Sequence, residues 1–147
     1  RITLTDPSNG NRFAATTAVR VAKDTSRPTA SVAKNRPATV KALRMLRGKA
    51  GDTGVGVAEV RVTLVQRRGG TWAGYVRGAW KPKASKARAR KAARPVVVEP
   101  AANGAWRVRV KKLRPGRLAG TVVAVDAVGN RSKASTFAVT LKTKRNR

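Results

Sequence analysis

The stretch Thr121-Val122-Val123-Ala124-Val125-Asp126-Ala127-Val128-Gly129-Asn130-Arg131 sets β-branched residues directly before an Asp/Gly/Asn turn. Residues 136–141, which read Thr-Phe-Ala-Val-Thr-Leu, follow a few positions later. Two strand-like runs joined by a turn of this composition are typical of a β-hairpin. The sequence therefore predicts a hairpin near the end of the chain.

A near-copy of this turn stands at the start of the chain, as Asp6-Pro7-Ser8-Asn9-Gly10-Asn11-Arg12. It lies between strand-like residues 2–5 and 17–21, and the two copies are 119 to 120 positions apart. That spacing suits one β-sandwich domain better than a short solenoid repeat. We interpret residues 1–24 as the terminal hairpin of a preceding module, or as a strand-donating arm.

The chain between the two copies has the pattern of a sandwich. Short strands are predicted at 29–33, 43–50, 60–64, 72–76, 96–98, 106–110 and 118–125, and Asn103-Gly104 is predicted as a hairpin turn. Strands of this length, with turn signals every 8 to 12 residues, favour an all-β, antiparallel sandwich. We expect a linker and first strand at 25–41, the sandwich at 42–142 and a basic tail at 143–147, with a helix only within 83–93.

Two motifs resemble bacterial immunoglobulin-like domains. The first is Leu43-x-x-Leu46-x-Gly48-x-Ala50-x-Asp52-x-Gly54-Val55-Gly56-Val57-Ala58-x-Val60, which is similar to their early strands. The second is Leu113-Arg114-Pro115-Gly116-Arg117 with the later Val122-x-Ala124-x-Asp126-Ala127-Val128-Gly129-Asn130, which is similar to their late hairpin. The resemblance covers about residues 28–142. It implies an immunoglobulin-like β-sandwich from tandem modules of secreted or surface-anchored bacterial proteins, often spacers or appendages of adhesins and hydrolases.

The charge of the chain is extreme. Its 147 residues include 34 Lys and Arg against 6 Asp and Glu, a formal net charge of +28. Such a field attracts nucleic acid, anionic cell-wall polymer, acidic polysaccharide or an anionic membrane. We therefore expect a polyanion as the partner of this protein.

Two groups of residues are the candidates for binding that polyanion. Seven of the fourteen residues in 81–94 are basic and none is acidic, which predicts an exposed insertion that becomes helical when a polyanion neutralises it. The second group alternates with Trp106, Val108 and Val110, so it should form an outward stripe that Arg61 could extend. The candidate residues are Lys81, Lys83, Lys86, Arg88, Arg90, Lys91 and Arg94 of the segment, and Arg107, Arg109 and Lys111 of the stripe.

The residues argue against an enzyme. The chain has no His, which removes the commonest general base and metal ligand, and its six acids are scattered in sequence. Asp52 and Asp126 offer oxygen ligands for Ca²⁺, but that ion takes 6–8 oxygens, so we interpret Asp126 and Asn130 as bonding the backbone of their own turn. The sequence predicts no catalytic residue, no metal and no cofactor.

The tryptophans have two interpretations. Beside basic residues they could stack on the bases of a single strand, whereas in a sandwich they anchor the core. We expect Trp72 and Trp106 in the core and leave Trp80 open. No pattern for specific base readout is present.

The sequence leaves three functional hypotheses. The first is a structural or adhesive module, secreted or on the bacterial cell surface, that binds anionic polymer non-specifically. The alternatives are an intracellular protein associated with nucleic acid, ribosomal or chromatin-like, and a filament subunit that self-associates by strand complementation through 1–24.

No Cys is present, and no apolar run approaches the ~18 residues of a membrane span. The start at Arg1, without Met or a signal-peptide pattern, indicates a mature product or a fragment.

Overall fold

A computed structural model describes residues 2–5, 12–15, 22–34 and 38–143. Within these ranges it has eleven strands and two short helices. The strands are β1 Ile2–Thr5, β2 Arg12–Ala15, β3 Thr29–Val32, β4 Met45–Gly51, β5 Val57–Arg68, β6 Thr71–Val76, β7 Ala79–Lys83, β8 Val96–Val98, β9 Ala105–Arg109, β10 Gly116–Asp126 and β11 Ser135–Leu141. The helices are α1 Val40–Leu43 and α2 Lys86–Ala92.

The strands after β2 form two antiparallel sheets. The larger has the order β11-β10-β5-β6-β7, and β8 pairs with β5 beyond the end of β6. The smaller has the order β3-β4-β9. The predicted all-β, antiparallel sandwich is confirmed.

Alternation of apolar and polar residues explains how the two sheets meet. In β9 Trp106 and Val108 are buried while Arg107 and Arg109 are exposed, and β4 alternates in the same way around Leu46. From the larger sheet Val60, Val62 and Leu64 of β5 enter the same core, each fully buried. Burying each such side chain contributes about 1.5–3 kcal/mol, so the core between the sheets is the main stabilising element.

The late hairpin lies where the sequence places it. Residues of β10 from Gly116 to Val122 pair with β11, and the Asp126 carboxylate accepts hydrogen bonds from the amides of Val128 at 3.0 Å and Asn130 at 2.8 Å. The prediction that Asp126 bonds the backbone of its own turn is confirmed, but the same prediction for Asn130 is wrong, because its side chain donates to Asp126 Oδ2 and to the Asp24 carbonyl oxygen. At the other end of the chain β1 and β2 pair antiparallel, with Ile2 opposite Ala15. The strand predicted at 17–21 lies outside the described residues.

The structure differs from the sequence prediction at several places. Val40–Leu43 is a single helical turn capped by Thr39, although a strand was expected from residue 43. Residues 79–83 form a strand, β7, that was not predicted from the sequence. The strand tolerates the exposed Pro82 because it lies at the edge of the sheet, where the missing N–H costs no ladder bond. The hairpin expected at Asn103-Gly104 is wrong. Its flanking strands β8 and β9 belong to different sheets, so this turn crosses the sandwich.

In the described part of the chain, neither helix has the length and apolar composition that crossing a membrane requires.

Candidate polyanion-binding surface

The basic segment 81–94 is ordered by its small residues. Helix α2 begins after Ser85, whose hydroxyl accepts a hydrogen bond from the Arg88 amide at 3.2 Å. Ala89 and Ala93 are buried against the outer face of the larger sheet, and a Cβ on Gly74 would lie only 2.4 Å from the Ala89 carbonyl oxygen. The segment is an exposed insertion between β7 and β8, as expected, and its helix is held in place by the buried Ala89 and Ala93, which pack on β6 where Gly74 carries no side chain.

The charged side chains of the segment point away from that contact. Lys81 and Lys83 lie on β7, Lys86, Arg88, Arg90 and Lys91 on α2, and Arg94 in the connection to β8; all are exposed except Lys86, which is half-buried. The Lys86 ammonium lies 5.1 Å from the centroid of the Trp72 ring, a cation–π distance. Trp72 is half-buried under the helix rather than in the core between the sheets, so its predicted core position is wrong.

The strand group forms the expected outward stripe on the smaller sheet. Arg107 and Arg109 are exposed on β9, and Lys111 is exposed just past its end. The register sets Arg47 of β4 directly opposite Arg107, which places two exposed guanidinium groups on neighbouring strands. The expected extension by Arg61 is wrong, because Arg61 lies on the larger sheet and pairs with Glu59 there at 2.5 Å. This is the one ion pair among the described residues.

Part of the stripe meets part of the basic segment in one groove. Its lining includes four exposed basic residues, Arg77, Arg94, Arg109 and Lys111, and the groove has a volume of about 540 Å³. The remaining described residues around it are uncharged, with Tyr75, Val76 and Pro95 among them. We call this the basic groove. It unites one residue of the segment and two of the stripe with Arg77, which sequence reasoning missed.

Tyr75 of β6 fixes two walls of the basic groove. Its carbonyl oxygen accepts a hydrogen bond from the Arg94 amide at 3.0 Å, and its hydroxyl accepts one from the Lys111 amide at 3.0 Å. The Trp80 indole packs on Tyr75 with ring centroids 4.8 Å apart and donates to the Lys111 carbonyl oxygen at 2.9 Å. The Tyr75 and Trp80 side chains therefore hold the backbone of Lys111, and the backbone of Tyr75 holds that of Arg94.

Arg77 reaches the groove from a two-residue turn. Arg77 and Gly78 join the paired residues Val76 and Ala79, and both have positive φ, 48° and 83°, as in a type I′ turn. Such turns favour Asn-Gly, and a long side chain at positive φ is uncommon. The turn lies against the opposite wall, since a Cβ on Gly78 would be 3.6 Å from the Lys111 Cδ. The sequence signal that could have located Arg77 is Gly78, because a glycine directly after the strand predicted at 72–76 indicates a turn with Arg77 at its tip.

A second groove lies further along the same strands. It has a volume of about 800 Å³ and is lined by Arg47 and Arg107 together with Glu99 and Trp106. Because Glu99 contributes an opposite charge, the positive field in this second groove is weaker than the field in the basic groove. Among the residues that the structure describes, the buried Trp106 indole N–H has no hydrogen-bond partner.

Three carboxylates converge at the other side of the fold. Asp24, Asp52 and Asp126 bring one oxygen each to within 4.8 Å of one another, although they are far apart in sequence. The Ser26 hydroxyl donates a hydrogen bond to the Asp24 carboxylate, and the amides of Val55 and Ser26 each donate one at 2.9 Å. These hydrogen bonds, that of the hydroxyl first among them, hold the pKa of Asp24 below its ordinary value. Asp52 accepts from the Gly56 amide at 3.0 Å.

Most carboxylate oxygens of this cluster accept hydrogen bonds from backbone amides. Asn130 donates from its side chain to Asp126 Oδ2 at 2.8 Å and to the Asp24 carbonyl oxygen at 2.9 Å, which ties residues 22–28 to the late turn. Asp52 Oδ1 is buried and has no hydrogen-bond partner in the described part of the chain. Ca²⁺ takes six to eight oxygen ligands, from carboxylates, carbonyl groups and water. The sequence expectation of separate, single acids is corrected: these three share one site, which the fold assembles from two loops and the end of β10.

No protein-family model matches this chain, and no curated protein matches its sequence.

Proposed function

We propose that this protein is a non-enzymatic, immunoglobulin-like structural or adhesive module, secreted or on the bacterial cell surface, whose basic face binds polyanions. The anionic polymer of the cell wall, extracellular DNA and an acidic partner subunit all carry the charge that this face would neutralise. The β-sandwich and the motifs of the early strands and the late hairpin support the module. The distribution of exposed cations supports the polyanion.

The observation that carries the proposal is the pair Arg47 and Arg107. They stand directly opposite one another on β4 and β9, both exposed, and Arg109 lies two residues further along the same face. Like charges in direct cross-strand positions destabilise a sheet. No ion pair relieves them in the described part of the chain, whose single ion pair joins Arg61 and Glu59. An anionic polymer lying along this face would relieve the repulsion while gaining contacts from each cation.

A titration over a range of salt concentrations tests this function. The full chain is titrated with duplex DNA and, separately, with teichoic acid, and the logarithm of affinity is plotted against the logarithm of salt concentration. A polyanion-binding face gives steep negative slopes, because each neutralised phosphate releases a counterion. Tighter teichoic acid binding favours cell-wall polymer as the partner and so the surface module, whereas tighter DNA binding favours nucleic acid, which is a partner of both the surface module and the intracellular alternative. Slopes near zero for both polymers contradict the proposal.

One observation favours a second role in assembly. Strands β1 and β2 pair with each other in a two-stranded sheet, and such a pair offers edges to which further strands can add. We propose that residues 1–24 could donate strands to another copy and so build a filament, the alternative being a hairpin that belongs to a preceding module. Deleting 1–24 and measuring particle mass by light scattering decides this. An unchanged mass contradicts assembly through these residues.

A further inference from the structure

We infer that the basic groove is a binding site for a flexible phosphate chain that carries no bases, such as a polyphosphate or a poly(polyol phosphate). The inference rests on the proposed polyanion binding and adds to it a place and a class of ligand. Four cations line the groove: Arg77 at the β6–β7 turn, Arg94 before β8, Arg109 of β9 and Lys111 after it.

The first argument is that these cations converge without a local counter-charge. The lining of the groove in the described chain contains no Asp or Glu, whereas the neighbouring groove contains Glu99. Residues from both sheets contribute, so the fold brings together charges that repel one another. Clefts lined by one sign of charge concentrate the field and raise the local concentration of oppositely charged ligand.

The second argument is the backbone at Arg77. Its φ of 48° lies in a region that suits Asn or Gly, and Arg occupies it at the edge of the groove. Local strain of this kind clusters at functional sites, where a side chain is needed despite the cost. A turn selected for stability alone would carry Asn at position 77, followed by the Gly78 already present.

The third argument is preorganisation. Tyr75 accepts hydrogen bonds from the amides of both Arg94 and Lys111, at 3.0 Å each, and Trp80 holds the Lys111 carbonyl oxygen at 2.9 Å. Tyr75 and Trp80 are themselves in the core. The backbone positions of these two cations are therefore set before a ligand arrives, which reduces the ordering cost of binding.

The shape and the aromatic residues define the class of ligand. Single-strand nucleic-acid sites stack bases on exposed aromatic rings. Here Tyr75, Trp80 and Trp106 are buried, and Lys86 covers Trp72, so the described residues around the basic groove offer no open ring for a base. A concave site of about 540 Å³ admits a thin chain, whereas a duplex needs a broad face.

The neighbouring residues let a chain continue beyond the groove. Arg109 lines the basic groove, and Arg107, two residues earlier on the same face of β9, lines the next one with Arg47. Residues two apart on a strand are about 7 Å apart. A flexible polymer leaving the basic groove along β9 would therefore meet successive guanidinium groups.

The test uses the full chain with long-chain inorganic polyphosphate as the probe. Arg77→Asn removes a cation and suits the turn, and Arg131→Asn makes the same change at an exposed position on the late turn. We expect Arg77→Asn to weaken polyphosphate binding about tenfold at low salt, the size of one charge-assisted hydrogen bond, while its Tm stays the same or rises. Arg131→Asn should weaken binding less than twofold. A 20-base-pair duplex and a thymidine oligonucleotide serve as competitors, and the duplex should show no difference between the two variants.

Three results would overturn the inference. Equal weakening of polyphosphate binding by both variants would leave the proposed function standing but would remove the groove as its site. A larger effect of Arg77→Asn on the thymidine oligonucleotide than on polyphosphate would show that bases are recognised there. If the wild-type chain binds none of the three polymers, the proposed function fails as well.

Discussion

The hydroxyl of Tyr75 accepts a hydrogen bond of 3.0 Å from the backbone amide of Lys111 and so joins the larger sheet to the segment that leaves the smaller one. The two residues are 36 positions apart, and the contact brings the end of β9 beside β6. The same contact closes one wall of the basic groove. The stability of the sandwich and the geometry of the candidate site therefore depend on one buried side chain.

Tyr75→Phe removes the acceptor and leaves the Lys111 amide without its partner. This hydrogen bond is partly buried, a typical hydrogen bond contributes about 0.5–1.5 kcal/mol net, and the ring itself stays in the core, so we expect a loss of about 1 kcal/mol in the free energy of unfolding. Urea denaturation measures this loss. Unchanged stability would show that water replaces the hydroxyl at no cost.

Removing one arginine of the opposed pair should stabilise the protein. We expect Arg47→Thr and Arg107→Thr each to raise the free energy of unfolding by about 0.5 kcal/mol at low salt, because each ends a like-charge cross-strand contact. High salt should erase the gain, since it screens exposed charges. Arg117→Thr is the matched control, because Arg117 is exposed on β10 opposite the uncharged Thr140. A gain as large in the control would mean that net charge alone is responsible.

The packing of α2 depends on Gly74. A methyl group there would lie 2.4 Å from the Ala89 carbonyl oxygen, a backbone atom that cannot rotate away. We expect Gly74→Ala to lower the free energy of unfolding by about 1–3 kcal/mol, the usual cost of overpacking, as measured by thermal and urea denaturation.

Gly51→Ala on β4 is the control for that change, because its Cβ would meet only Thr29 Oγ1 at an ordinary 3.6 Å. If α2 is a packed part of the fold, this variant should lose far less stability than Gly74→Ala. Equal losses would mean that the helix is not held against β6.

Stability should also depend on the ionisation of Asp24. Its pKa is held below its ordinary value of 3.8 by the hydrogen bonds from Ser26 and Val55. A carboxylate whose pKa is lower in the folded than in the unfolded state stabilises the fold at any pH above its ordinary pKa. This stabilisation is lost as the pH falls through the lower pKa of the folded state. We expect wild type and Asp24→Asn to converge in free energy of unfolding as the pH falls below 3.8, and to differ most at neutral pH. A constant difference from pH 2 to pH 7 would contradict this role.

Much of the sandwich could be predicted because its core strands alternate. The alternation around Trp106 and Val108 and the Asp/Gly/Asn turn at 126–130 both led to the observed elements. The edge strand β7 was missed because charge and Pro82 obscured its pairing, and the pairing of β6 with β7 is set by the turn at Arg77 and Gly78. The local sequence pattern predicts a strand least well when the strand lies at the edge of a sheet and lacks alternating buried residues.

The candidate site was only half visible in the sequence. Arg94, Arg109 and Lys111 could be named from the charge run and the strand pattern, but nothing local shows that they share a groove with Arg77. The convergence depends on which sheet each strand joins, and the wrong hairpin at Asn103-Gly104 would have kept β8 and β9 in one sheet. The cluster of Asp24, Asp52 and Asp126 could not be predicted either, because these residues are far apart in sequence and only the tertiary fold brings them together.

The most direct test of the central claim is an NMR titration of the isotope-labelled full chain with polyphosphate, following backbone amide shifts. We expect the largest changes at the residues of the basic groove, Arg77, Arg94, Arg109 and Lys111, and smaller changes along β9 towards Arg107. Changes spread evenly over exposed cations such as Arg117, Arg131 and Lys133, with none enhanced at the groove, would contradict the account.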